Sequence, residues 1–129
     1  MIVRKVWIQD QDTVDAWRAA FGLAPMHFDL FAGGDGFMAV GSRPLAACWL
    51  YTTRSGIGML EGLIADPAAE PAEKSAALDE VVKEAKATAK LDGCVMLFGV
   101  STLPAVVDRA KRHGFEIIKQ NATMFACKL

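Results

Sequence analysis

The sequence predicts a single α/β domain over residues 1–129, a mixed sheet with helices on its faces, in the order β-α-β-β-β-α-β-α-β-β. Three observations predict it. Short β-branched and aromatic runs alternate with amphipathic stretches that repeat at three and four residues. Between Gly36 and Ala65, three strand-like runs are separated by turn-sized connections rich in Gly, Pro and Ser, the pattern of an antiparallel meander. From Ile57 to Val100 the chain reads strand, loop, long helix, strand, which makes a right-handed crossover if the two strands are parallel neighbours.

The elements follow in order. Ile2 to Gln9 carries the β-formers Ile2, Val3, Val6, Trp7 and Ile8. Asp12 or Thr13 caps a short helix whose apolar stripe is Val14, Trp17, Ala20 and Phe21, and Gly22 ends it. MHFDLF is either a second short helix or a flap over a cleft, and GGDG breaks the chain after it. Gly36–Val40, Leu45–Thr53 and Ile57–Ala65 are strands, the first two joined through GSRP. In the long helix SAALDEVVKEAKATAK, Leu78, Val82, Ala85 and Ala89 mark one face with Ala77 and Val81 beside them, and acids at its start and lysines toward its end suit its dipole. An Asp79–Lys83 pair is expected on its surface. Cys94 to Val100 is the continuous apolar run of a strand covered on both faces. Ser101 or Thr102 then caps a helix with Leu103, Val106, Val107 and Ala110 inward, His113 as a partner of its dipole and Gly114 as its terminator. Phe115–Lys119 and Ala122–Lys128 close the chain as a hairpin around Gln120-Asn121.

Bulk properties exclude several classes of function. The chain has 129 residues, 53% of them apolar, and a net charge of −1 with both signs scattered. It has a core's worth of apolar residues and no basic patch for nucleic acid or an anionic membrane. No apolar run is long enough to span a bilayer, and no signal peptide is read at the N-terminus, so a cytoplasmic location is expected. Cys48, Cys94 and Cys127 are odd in number and widely spaced; they read as buried thiols in a reducing compartment, and with His27 and His113 far apart no metal site is expected.

Three phrases, MLEGLIADP, SAALDEVVKEAKATAKLDGCVMLFGV and DRAKRHGFEIIK, together resemble the GNAT superfamily of N-acetyltransferases from about Leu45 to the C-terminus. The resemblance implies a GNAT-like fold in which acetyl-CoA lies where two parallel central strands splay. It implies main-chain contacts from Leu63, Ile64 and Ala65 to the pantetheine arm, and a pyrophosphate loop over Glu70, Ala72, Glu73, Lys74, Ser75 and Ala76. That loop is degenerate: Glu70 falls where the family has Arg or Gln, and Glu73 and Ser75 fall on its glycines. Two solvated carboxylates oppose a diphosphate by about 1 kcal/mol each, although acids at a helix start also stabilise the helix. The family's tyrosine acid falls at Ala110, so the position is empty of that chemistry; Ser101 is the nearest substitute and Glu61 the candidate base. Tyr51 is read as packing or lining a cleft, and His27 as a surface loop residue or part of the acceptor cleft. The implied activity is acyl transfer from acetyl-CoA or another acyl-CoA to a small-molecule or peptide amine. The alternative is a non-catalytic binding or assembly module, since compact, motif-poor versions of the fold occur among phage-encoded proteins. Exposed hydrophobics around MHFDLF are a candidate homo-oligomer surface.

Overall fold

A computed structural model describes residues 1–129. β1 (Ile2–Lys5) leads through a 3-10 turn into α1 (Gln11–Ala20), and α2 (Phe28–Gly33) follows. The meander is β2 (Asp35–Val40), β3 (Pro44–Thr52) and β4 (Ile57–Ala65); α3 (Pro71–Leu91), β5 (Met96–Gly99) and α4 (Pro104–Arg112) complete the elements. One five-stranded sheet has the order β1-β2-β3-β4-β5, antiparallel throughout except for the parallel β4–β5 pair.

Alternation along the strands sends successive side chains to opposite faces. Phe37, Ala39, Ala46, Cys48 and Leu50 face α3, and Met38, Ala47 and Trp49 face Val14, Trp17 and Phe31 from α1 and α2. Ala77, Val81, Ala85 and Ala89, four residues apart, are the buried stripe of α3. Their small size lets the helix lie close on the sheet, near enough for the Cys48 thiol to reach the Val81 carbonyl at 3.5 Å. The MHFDLF stretch folds as helix. Trp49 Nε1 donates to the Phe31 carbonyl at 3.1 Å and the Tyr51 hydroxyl to the Leu30 carbonyl at 2.6 Å, tethering α2 to β3.

The mixed α/β class and the sheet-with-helices architecture hold, but details at both ends depart from expectation. The first strand stops at Lys5, Asp10 and not Asp12 or Thr13 caps α1, and Ala20 and Phe21 of its expected stripe are exposed. The long helix starts at Pro71, so Ala72 to Ala76 lie in its first turns and not in a loop. Of the three thiols expected to be buried, only Cys48 is; Cys94 is half-buried and Cys127 exposed. The closing hairpin does not form: residues after Gly114 belong to no strand, and Ile118, Met124 and Phe125 are exposed. Asn121 does adopt the left-handed turn conformation, φ 55°. A turn alone is insufficient, because two isolated strands are marginal without a sheet to join. The apolar run after Cys94 yields only four strand residues, with Val95 and Met96 exposed, so β5 is an edge strand and not a covered one. Asp79 pairs with Arg109 and hydrogen-bonds the His113 ring at 2.8 Å instead of meeting Lys83, which bonds Glu80; His113 is thus committed to α3 and not to its own helix end.

Candidate functional site

The site starts from one backbone irregularity. Trp49 lies opposite Glu61 and Ala47 opposite Ile64, so two residues of β4, Gly62 and Leu63, oppose one of β3. This is a β-bulge, which bends and twists the strand that carries it. Gly62 sits in it at φ 66°, and a Cβ there would come within 3.1 Å of the Trp49 ring, so the position requires glycine on both counts.

β5 pairs with β4 only from Ile57↔Met96 to Leu60↔Gly99. β5 ends at Gly99, opposite Leu60, while β4 runs on to Ala65; past the bulge, Ile64 and Ala65 are registered with β3 alone. The main chain of these residues is thus open on the side away from β3.

Glu61 stands at the point of divergence. Pairing with Trp49 places it on the face covered by α1 and α2, half-buried, with no hydrogen-bond or ion-pair partner. Burial raises its pKa above the ordinary carboxylate value. Tyr51 shares this face; its pKa is pushed up to about 12, first by burial and then by the charge of Glu61. With its hydroxyl committed to Leu30, Tyr51 is a wall and a tether, not an acid. Ser101 lies just past β5, at the opposite lip of the opening. Its Oγ accepts the Leu103 N–H at 3.1 Å; Leu103, not Ser101, is the residue that caps α4. The Ser101 hydroxyl hydrogen stays free to donate. His27 caps α2, Nδ1 accepting the Asp29 N–H at 3.2 Å, and is exposed.

The connection from β4 to α3 is held by a residue that sequence reasoning missed. Arg43, at the tip of the β2–β3 turn, bonds Asp66 at 2.9 Å and approaches Glu73 at 3.8 Å. Burial alone would raise the pKa of Asp66, but the Ala68 amide, Arg43 and Lys74 hold it below the usual value. The signal was present: a lone arginine in a tight turn whose flanking strand runs beside the end of β4. At the start of α3, Glu70 is the capping residue without a side-chain cap, and Pro71 occupies the first turn. The N–H groups of Ala72 and Glu73 have no protein acceptor, while Lys74 N–H already bonds the Glu70 carbonyl. Ser75 is occupied from the other side, since Arg109 donates to both its carbonyl and its hydroxyl; Ala76 is exposed. Arg109 and His113 also bind Asp79, whose pKa burial would raise and these two bonds lower. A second missed cluster thereby fastens α4 to α3.

The structure brings Glu61, Leu63–Ala65 and the start of α3 onto one continuous path along β4. The stretch from Asp66 to Ala76 has no glycine, and its one base, Lys74, makes no side-chain hydrogen bond or ion pair and acts on Asp66 through its charge alone. No three His, Cys, Asp or Glu side chains converge as a metal site, and no helix is long and apolar enough to cross a membrane. Cys48 is buried, its pKa pushed up to about 12 by that burial, and is inert as a thiolate.

No protein-family model matches the chain, and no curated protein matches it. Solved structures do. An acetyltransferase from Trypanosoma brucei superposes with a TM-score of 0.72 at 15% identity, covering 97% of this chain and 99% of that one. Glucosamine-6-phosphate N-acetyltransferase from Arabidopsis thaliana gives 0.70 at 12%, covering 96% and 97%. Aminoglycoside 6'-N-acetyltransferase from Acinetobacter haemolyticus gives 0.65 at 19%, covering 100% and 99%. At such identities the likeness is one of fold, and it spans whole chains. These neighbours show that this chain has the fold of the GNAT acetyltransferases.

Proposed function

We propose that the chain is an acyl-CoA-dependent N-acyltransferase acting on an amine. The observation that carries this reading is the stretch of β4 beyond Leu60 that β5 leaves unpaired, with an unpartnered, half-buried carboxylate where the pairing ends. Acetyl-CoA, as the acyl donor, supplies an activated carbonyl carbon. The open main chain of Leu63, Ile64 and Ala65 suits an extended amide-bearing arm, which adds to a sheet edge by main-chain hydrogen bonds. The free amides of Ala72 and Glu73 suit one phosphate oxygen set at the start of α3. Lys74 and Arg43 offset the acids Glu70, Glu73 and Asp66 there, in place of the missing glycines. Ser75 and Ala76 line the first turn without a free donor, because Arg109 holds Ser75.

Glu61 takes the proton that the amine must lose, directly or through water, and burial brings its basicity toward the working range. The amine nitrogen bonds to the acyl carbon as the carbon–sulfur bond breaks. Ser101, at the opposite lip, donates to the departing thiolate. Holding the two reactants in line along β4 supplies much of the acceleration without a stronger acid or base. Nothing in this chemistry needs a metal, and the proposed location is the cytoplasm, where acyl-CoA is found.

One observation favours a second reading, a non-catalytic binding module: the start of α3 is closed by the chain's own contacts, the Arg43 ion pairs with Asp66 and Glu73 and the Arg109 hydrogen bonds to Ser75. Titration calorimetry with acetyl-CoA decides between them. Micromolar binding supports the enzyme, and no heat at millimolar ligand supports the module.

A further inference from the structure

We propose that the acceptor is an amine with a single positive charge on an apolar body, an arylalkylamine or alkylamine, and not a polycation. The inference rests on the acyl-transfer reading and adds the class of substrate. It follows from a census of the carboxylates on the α1–α2 side of the sheet. Asp10 is held by both nitrogens of Arg4 at 2.7 and 3.0 Å. Asp15 accepts the Met26 N–H at 2.9 Å. Asp29 lies 3.7 Å from His27, and Asp12 is exposed on the first turn of α1. Glu61 alone is half-buried and without a partner. A bound polyamine or aminoglycoside brings several ammonium groups out of water, and each needs an acid to offset its desolvation. Asp12 and Asp29 stand in solvent, so this face supplies one partly desolvated acid without a partner, Glu61.

The wall around that acid is apolar. The Tyr51 hydroxyl is spent on Leu30, so the residue offers its ring. Met59 faces Tyr51 across the strand pair, and Phe28 and Leu30 on the tethered α2 are about half exposed, at 49% and 56%. An apolar body gains by covering these side chains, and an ammonium between Glu61 and the Tyr51 ring gains both ion pairing and cation–π attraction.

The test has two arms. Binding of phenethylamine, hexylamine, spermidine and kanamycin to the free protein is followed by calorimetry, for wild type and Glu61→Gln, and acetyl-CoA binding is measured separately. The expected result is selection of phenethylamine or hexylamine over both polycations by about tenfold or more, with a similar loss in Glu61→Gln. Tighter binding of spermidine or kanamycin, or amine affinity unchanged in the variant, overturns the proposal. Absence of acetyl-CoA binding instead overturns the acyl-transfer reading, and the amine arm still reports which cation this face selects.

Discussion

Glu61 carries opposite consequences for catalysis and for stability, and both can be measured. As the base it must be ionised, so the acid limb of the kcat/KM profile should lie above the ordinary carboxylate range, following the upward shift that burial imposes. Glu61→Gln should lower kcat/KM by about 10²–10⁴ and abolish that limb. Folding has the reverse dependence. A carboxyl whose folded pKa is raised stabilises the fold fully below the unfolded value, and that contribution is lost as pH rises through the folded value. Glu61→Gln should therefore raise Tm at neutral pH and leave it almost unchanged in acid, as read by thermal unfolding at both. A variant both inactive and destabilised at neutral pH would mean that Glu61 is a structural residue. The strand and the acid were legible in MLEGLIADP, because a single charge in an apolar strand draws notice. Its isolation was not: the bases and amides on its face are spent on Asp10 and Asp15, which lie far from it in sequence.

Two elements, the bulge in β4 and the latch on α4, decide whether the opening keeps its shape. Gly62→Ala forces a side chain into the left-handed region and against Trp49, at a cost of about 1–3 kcal/mol. Chemical denaturation should show that loss. Because relief of strain means straightening β4, acetyl-CoA affinity should fall with it; affinity held at the wild-type value would detach the bulge from the binding path. The helix α4 has no fully buried residue and is held by Arg109 and His113 on Asp79 and by the Lys86 ammonium on the His113 carbonyl. Asp79 is only partly exposed, so Asp79→Asn should cost more than a surface pair, about 1–3 kcal/mol. Hydrogen exchange should rise across residues 104–114 while β3 stays protected. Sequence periodicity located both helices; the latch escaped it because i,i+4 reasoning assigned Asp79 to Lys83, whereas an acid facing a neighbouring helix finds a longer-range partner.

At the scale of the whole molecule, what was legible in the sequence was whatever local pattern alone determines. The meander, the crossover and the Ala-rich stripe of α3 all follow from periodicity and turn residues between Gly36 and Lys90. The chain end did not, because a strand needs a neighbour as well as a propensity: Ile117, Ile118 and Phe125 have the residue types of a strand and no paired edge. The last main-chain hydrogen bond of the chain runs from Phe115 N–H to the Ala110 carbonyl. Residues 116–129 are exposed throughout, so they contribute surface but little stability. Ending the chain after Phe115 should thus change the denaturation free energy by no more than about 0.5 kcal/mol, the range of surface changes, and should reduce self-association by removing exposed apolar side chains. Acid stability should also be untouched, since it rests on Asp10, Asp66 and Asp79. Their depressed pKa values give stability present above the unfolded carboxyl range and lost as pH falls through the folded values, below about pH 4. A shortened chain that unfolds several kcal/mol sooner would show instead that the closing hairpin does assemble on β5.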